Sequence, residues 1–137
     1  MEGRATLRQV TFATLDMQWH SKDPSGVKDL EAFESAVSSK LDFLPAVKGT
    51  SISTAFSHIF AGGYSAGYYS YKWAEVLDAD AFEYFKQKGI FNREVADLFK
   101  NNVLSQGGSK HPMDLYVAFR GQKPNPDALL RRAGLIS

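Results

Sequence analysis

Hydrophobic side chains recur at helical spacing along most of the chain. Leu30, Phe33, Val37 and Leu41 are separated by three, four and four residues, and this spacing predicts a helix over residues 27–41. Similar patterns predict further helices over residues 5–19, 64–88, 93–104, 112–120 and 126–133. Residues 10–15, within the predicted helix 5–19, would also fit a strand. The pattern as a whole predicts an all-α fold, a single compact helical domain of about five helices.

Capping residues and glycine stops support these boundaries. Asn92 and Asn125 precede predicted helices as N-caps, and Gly89 and Gly121 follow others as C-terminal stops. Residues 42–63 lack a periodic pattern and contain proline and glycine, so they are predicted to form one long irregular loop. Long connections of this kind are uncommon in compact domains and are often functional.

Composition narrows the class of protein. The 137 residues are 44% hydrophobic and 23% charged, an ordinary globular mixture. Sixteen Lys and Arg against fifteen Asp and Glu give a net charge of +1, which offers no electrostatic reason to expect nucleic acid or an anionic membrane as a partner. The sequence contains no run of about 18 apolar residues, the length needed to span a bilayer. Without an apolar signal region at the N-terminus, we expect a cytoplasmic location.

The usual catalytic and metal-binding motifs are missing. The absence of cysteine excludes disulfides, a thiolate zinc site and a cysteine nucleophile. His20, His58 and His111 are far apart in sequence, and there is no His-Glu-x-x-His motif. A metal site assembled from the separated histidines stays open. Neither a Gly-x-Ser-x-Gly elbow nor a phosphate-binding loop with its lysine is present.

The most distinctive segment is rich in tyrosine. Tyr64, Tyr68 and Tyr71 are spaced i, i+4 and i+7, so on a helix beginning near residue 64 their hydroxyls would share one face. Phenol groups donate hydrogen bonds and can hold a peptide carbonyl or stabilise the oxyanion that develops on it. An aromatic stripe at this spacing is also typical of a hydrophobic core. Both interpretations stay open on spacing alone.

The residues before the tyrosines favour a binding role. His58 lies in the irregular loop, which ends with Gly62 and Gly63. Glycine allows a backbone to bend close to a ligand. Small residues between the tyrosines would also leave space beside the phenol rings.

Residues 56–64 (FSHIFAGGY) and 68–82 (YYSYKWAEVLDADAF) carry a resemblance to a known family. They resemble the C-terminal region of the thimet oligopeptidase family of zinc metallopeptidases, of the oligopeptidase A and peptidyl-dipeptidase type. The likeness continues through residues 89–92, 104–109 and 119–121, so it covers nearly the whole chain.

The resemblance implies a helical peptidase in which a zinc-bound water cuts short peptides, with a glutamate as general base. It implies catalytic roles for His58 and Tyr68, on the side of the substrate where the oxyanion forms. Substrate binding is implied for Tyr64, Tyr71, Gly62 and Gly63.

The family's zinc motif and its third, glutamate ligand would lie upstream of the matched region. We therefore expect residues 1–137 to be the C-terminal part of the catalytic domain, without the zinc-binding motif. Such a piece is expected to bind no metal, to be inactive alone, and to pair with the missing N-terminal part of the same enzyme. Apolar surface left uncovered predicts self-association. The alternative is a non-catalytic helical domain with a peptide-binding or structural role.

Overall fold

A computed structural model describes residues 2–41 and 44–137. Over these two ranges the chain forms seven α-helices and no β-strand, which confirms the all-α prediction. The helices are α1 (Glu2–His20), α2 (Leu30–Ser38), α3 (Ile52–Ala55), α4 (Ser70–Lys88), α5 (Arg93–Phe99), α6 (Pro112–Arg120) and α7 (Asp127–Arg132). Short 3-10 turns lie at Pro24–Gly26 and Ser57–Ile59, and a π-helical turn, Lys100–Leu104, follows α5. The first two residues of the predicted irregular loop, 42 and 43, lie outside the described residues.

The chain divides into two compact units, Met1–Trp73 and Ala74–Ser137. In the first unit, the buried side chains of Phe12, Ile59 and Tyr68 form a hydrophobic core. The aromatic ring of Trp19 packs beside this core and against α2. That helix begins three residues later than predicted, because the side chain of its N-cap, Asp29, accepts a hydrogen bond from the backbone of the first turn.

A carboxylate on α2 orders part of the predicted irregular loop. Glu34 accepts hydrogen bonds from the Ser51 hydroxyl (2.7 Å) and from the backbone N–H groups of Ile52 (3.0 Å) and Ser53 (2.7 Å). These contacts hold the N-terminus of α3, where unpaired N–H groups favour a negative charge. Burial opposes ionisation, but the hydrogen bonds outweigh it and keep the pKa of Glu34 below its usual value.

The second unit has its own core around Val95, Tyr116 and Phe119. Asn92 caps α5 as predicted, accepting hydrogen bonds from the backbone N–H groups of the first turn. Gly121 ends α6 with a φ of 79°, the left-handed conformation typical of a helix stop. Several large apolar side chains of this unit face solvent. Phe91 is the extreme case, with 99% of its surface exposed.

A buried polar network joins α4 to α6 in this unit. Asp80 is 2% exposed as a whole residue. Its carboxylate accepts a hydrogen bond from the Tyr116 hydroxyl (2.6 Å) and forms an ion pair with Arg120 (3.2 Å). The Arg120 guanidinium also lies over the ring of Tyr84, 4.8 Å from its centroid. Because each charged group has a partner, the network can be buried without an unpaired charge.

The network makes the stability of the fold decrease at alkaline pH. Burial, and then the hydrogen bond and negative charge of Asp80, raise the pKa of Tyr116 above its usual value near 10. The phenol therefore stabilises the fold below about pH 10, and this contribution is lost as the pH rises further. We expect the free energy of unfolding to fall more steeply above about pH 10 in the unchanged chain than in Tyr116→Phe, by up to about 1.4 kcal/mol per pH unit. Urea unfolding across this range measures both slopes, and parallel slopes would contradict the assignment.

Within residues 2–41 and 44–137, no helix combines the length and the apolar character needed to cross a membrane.

Candidate functional site

The spacing predicted a helix that begins at residue 64, but the tyrosine-rich segment does not form one there. Helix α4 begins at Ser70, and the residues before it form turns. The reason lies in Asp16 on α1, whose carboxylate accepts hydrogen bonds from the backbone N–H groups of Ala66 (2.9 Å) and Tyr68 (2.9 Å). Ala66 has a φ of 55°, which a right-handed helix cannot contain. The expectation that all three tyrosines share one helical face is therefore wrong.

The turns nevertheless bring the predicted side chains together. Tyr71, in the first turn of α4, lies with its ring centroid 5.0 Å from that of Tyr64 and 5.1 Å from that of Tyr68. The His58 ring stacks on Tyr64 at 5.6 Å and meets Tyr68 edge-on at 6.3 Å. We call these four residues the His–Tyr cluster. All four belong to the first unit.

The cluster has a buried side and an open side. Tyr68 is only 7% exposed, and its ring packs edge-on against Phe56 and Phe12 in the core. His58 is exposed, Tyr64 is half-buried, and Tyr71 is 39% exposed. The ring of Tyr68 therefore anchors the cluster to the core, and the three more accessible rings form its open side.

The open side of the cluster offers a hydrogen-bond donor. A hydrogen bond with the side chain of Tyr64, then desolvation and the nearby phenols, raise the pKa of Tyr71 above its usual value. The Tyr71 hydroxyl therefore keeps its proton at neutral pH. The two phenols share one hydrogen bond, so one O–H of the Tyr64–Tyr71 pair stays available to donate to a carbonyl oxygen or to an oxyanion.

The backbone around His58 is tightly folded. His58 lies in the 3-10 turn Ser57–Ile59, and the Ser65 hydroxyl donates to the Ile59 carbonyl at 2.7 Å. A Cβ atom placed on Gly62 would lie 2.8 Å from the carbonyl oxygen of His58 and 2.9 Å from its Cα. Gly62 is thus required for the close approach of the two backbone segments.

We expect Gly62→Ala to displace His58. Because the new methyl group meets backbone atoms, the free energy of unfolding should fall by about 1–3 kcal/mol, and the NMR signals of the His58 ring should shift. Gly63→Ala is the matched control. Gly63 has a φ of 78°, but a Cβ atom added there would meet open space. The Gly63→Ala substitution should therefore lower the free energy of unfolding by about 1–2 kcal/mol and leave the NMR signals of the His58 ring unchanged. Unmoved His58 signals in Gly62→Ala would contradict this interpretation.

Comparison with known proteins identifies the family. The sequence pattern of peptidase family M3 matches residues 1–135. The chain belongs to peptidase family M3. This confirms the resemblance drawn from the tyrosine-rich segment and the sequence around it.

The relatives in this family are peptidases much longer than the chain. It is 44% identical over 140 residues to a probable cytosolic oligopeptidase A of Arabidopsis thaliana, covering 98% of the chain and 20% of that protein. It is 47% identical over 131 residues to oligopeptidase A of Escherichia coli, covering 94% and 19%. It is 38% identical over 125 residues to a dipeptidyl carboxypeptidase of Salmonella typhimurium, covering 90% and 18%. The chain spans about a fifth of the length of these relatives.

The described residues do not offer a donor set for zinc. In residues 2–41 and 44–137, no three His, Asp or Glu side chains come together as metal ligands do. His20 bonds to Asp16, and His111 Nδ1 accepts a hydrogen bond from the backbone N–H of Met113 at the start of α6.

Asp16, which holds the turns before α4, was not among the residues predicted from the sequence. A signal was present, because Phe12, Leu15, Asp16 and Trp19 have the i, i+3, i+4 and i+7 spacing of one helix face. A carboxylate among three large apolar residues predicts a buried charge, and a buried charge requires partners. Which partners it has could not be found from spacing, since they lie 50 and 52 residues further along the chain.

Proposed function

We propose that this chain is the C-terminal part of a zinc-dependent oligopeptidase that hydrolyses short peptides. The observation that carries the proposal is the His–Tyr cluster, a set of aromatic side chains with an open side, in a chain of peptidase family M3. The higher identity to oligopeptidase A than to dipeptidyl carboxypeptidase favours the oligopeptidase type. The cytoplasmic location stays a prediction.

The cluster's side chains divide into two roles in this proposal. His58 and Tyr68 stabilise the oxyanion that develops on the scissile carbonyl, by hydrogen bonds that strengthen as negative charge builds up. Tyr64 and Tyr71, on the open side, hold the substrate backbone. Gly62 and Gly63 keep the loop free of side chains beside His58, so a peptide can approach the ring.

The zinc ligands belong, in this proposal, to a part of the protein outside this chain. Zinc bound there would supply an activated water and polarise the scissile carbonyl. The 137-residue chain contributes one wall of the site, and we expect it to be inactive alone. Its natural partners are then short peptides and the rest of the same enzyme.

The coding sequence upstream tests this proposal. We expect an open frame that continues upstream and encodes His-Glu-x-x-His followed by a glutamate ligand. The longer product should cleave an internally quenched fluorescent peptide, and the 137-residue chain should not. A longer product that carries the motif and binds zinc, yet leaves a panel of short peptides intact, would contradict the proposal. A saturable peptide titration of the chain alone, with no upstream frame, would instead indicate a binding module.

A further inference from the structure

Asp16 is a fully buried carboxylate that the proposed chemistry does not use. The residue is 0% exposed. It lies on α1, a helix that carries none of the proposed site residues. Its Oδ1 accepts a hydrogen bond from the backbone N–H of Ala66, and its Oδ2 accepts one from the backbone N–H of Tyr68. A buried charge is costly unless it is well paired, so this arrangement calls for an explanation beyond helix packing.

We propose that Asp16 is the positioning residue of the His–Tyr cluster, holding the backbone at Ala66 and Tyr68 and thereby placing the tyrosine rings. This inference rests on the proposed function, since it concerns the same side chains. Asp16 itself lies beneath the cluster's backbone and acts on a substrate only through the residues that it orients.

The backbone between Tyr64 and Tyr71 shows why such a residue is needed. Ala66 adopts a left-handed conformation that disfavours any residue with a Cβ, so the turn must be held by other contacts. The hydrogen bond to the Tyr68 N–H fixes the point from which the Tyr68 ring extends. That ring contacts Tyr71, and Tyr71 contacts Tyr64, so a shift at the Tyr68 backbone would move all three rings.

His20 completes the environment of the carboxylate. Its Nδ1 lies 2.8 Å from Asp16 Oδ1 and 2.8 Å from the Asp16 backbone oxygen. Both of these atoms are acceptors, so Nδ1 carries the hydrogen. The His20 ring also packs against Phe60, with centroids 5.6 Å apart. Three N–H groups therefore converge on Asp16, two of them from the segment that leads into α4.

The test replaces Asp16 in the 137-residue chain and observes the cluster without any need for catalysis. In Asp16→Asn, the amide group presents only one acceptor oxygen, so one of the two backbone N–H groups loses its partner. We expect hydrogen exchange at Ala66 or Tyr68 to become at least about tenfold faster. We also expect the Tyr71 phenol, followed by NMR, to titrate closer to the ordinary tyrosine value of about 10.

Glu34→Gln provides the matched control. Glu34 also accepts backbone N–H groups within the first unit, at the start of α3 and outside residues 56–71, which carry the cluster. The Glu34→Gln substitution should lower the free energy of unfolding while leaving the Tyr71 titration unchanged. A purely structural role for Asp16 would make the two variants alike in this respect.

The outcomes are decisive for the positioning role. A folded Asp16→Asn with unchanged exchange at both amides and unchanged Tyr71 titration would overturn it. If Asp16→Asn does not fold, the milder His20→Gln must shift the Tyr71 titration in the same direction, and its failure to do so would overturn the proposal equally. Since neither measurement involves peptide cleavage, failure here is distinguishable from failure of the proposed function.

Discussion

Arg120→Met is expected to lower the free energy of unfolding by about 3–5 kcal/mol, because it leaves the carboxylate of Asp80 buried without its counter-charge. The two side chains are only 10% and 3% exposed, so water cannot replace the lost partner. The Tyr116 hydroxyl would remain as a donor to that carboxylate, but it carries no positive charge. Methionine keeps the length of the arginine stem, so the loss of packing is small compared with the loss of charge. Urea unfolding at neutral pH measures the difference.

The ion pair between Arg132 and Asp78 gives the matched control. It also joins α4 to another helix of the second unit, at 2.6 Å, but its side chains are 48% and 67% exposed. Exposed pairs contribute less than about 1 kcal/mol, so Arg132→Met should change the free energy of unfolding little. Equal effects of the two substitutions would show that the Asp80 carboxylate is reached by water and that its burial does not govern stability.

Tyr68→Phe, made in the longer enzyme that we propose, is expected to lower kcat by about tenfold or more while KM changes little. The substitution removes a single hydroxyl, and a donor that acts on the developing oxyanion is felt in the transition state more than in substrate binding. Its phenyl ring would keep the edge-on contacts with Phe12 and Phe56, so the fold should be retained. Steady-state cleavage of a fluorogenic peptide, with unfolding measured in parallel, separates activity from stability.

Tyr69→Phe removes the same group from the neighbouring residue, which is 55% exposed and outside the His–Tyr cluster. Its kcat should match that of the unchanged enzyme. If Tyr68→Phe is equally active, the low exposure of Tyr68 has the simpler meaning that its ring belongs to the core. The oxyanion role would then pass to another donor of the cluster, and the family assignment would be unaffected.

The sequence predicted most of the helices because their signals are local. Asn92 and Gly121 lie beside the helix ends that they define, and both act there as expected. The π-helical turn was not predicted, since its defining hydrogen bond, from the Ser105 N–H to the Lys100 carbonyl, leaves no mark on the spacing of apolar residues.

The start of α4 shows where local patterns fail. Tyr64, Tyr68 and Tyr71 have helical spacing, yet the first two lie in turns, because a carboxylate from α1 competes for the backbone N–H groups that a helix would use. The structure brings the rings of His58 and the three tyrosines together, but not on the shared helical face that the spacing predicted. Long-range hydrogen bonds of this kind require a three-dimensional structure to be found.

The hold of Asp16 on the turns before α4 also limits how the segment can be transplanted. Residues 56–71 carry all four rings, so they look like a portable motif for a designed peptide-binding scaffold. Grafted without α1, the segment would lose the acceptor for two of its amides while keeping the disfavoured conformation of Ala66. A working graft would have to include Asp16 and His20, or replace Ala66 with glycine and rebuild the acceptor elsewhere. The smallest transferable unit is therefore a pair of segments, 12–20 and 56–71, that are separated in sequence and must be moved together.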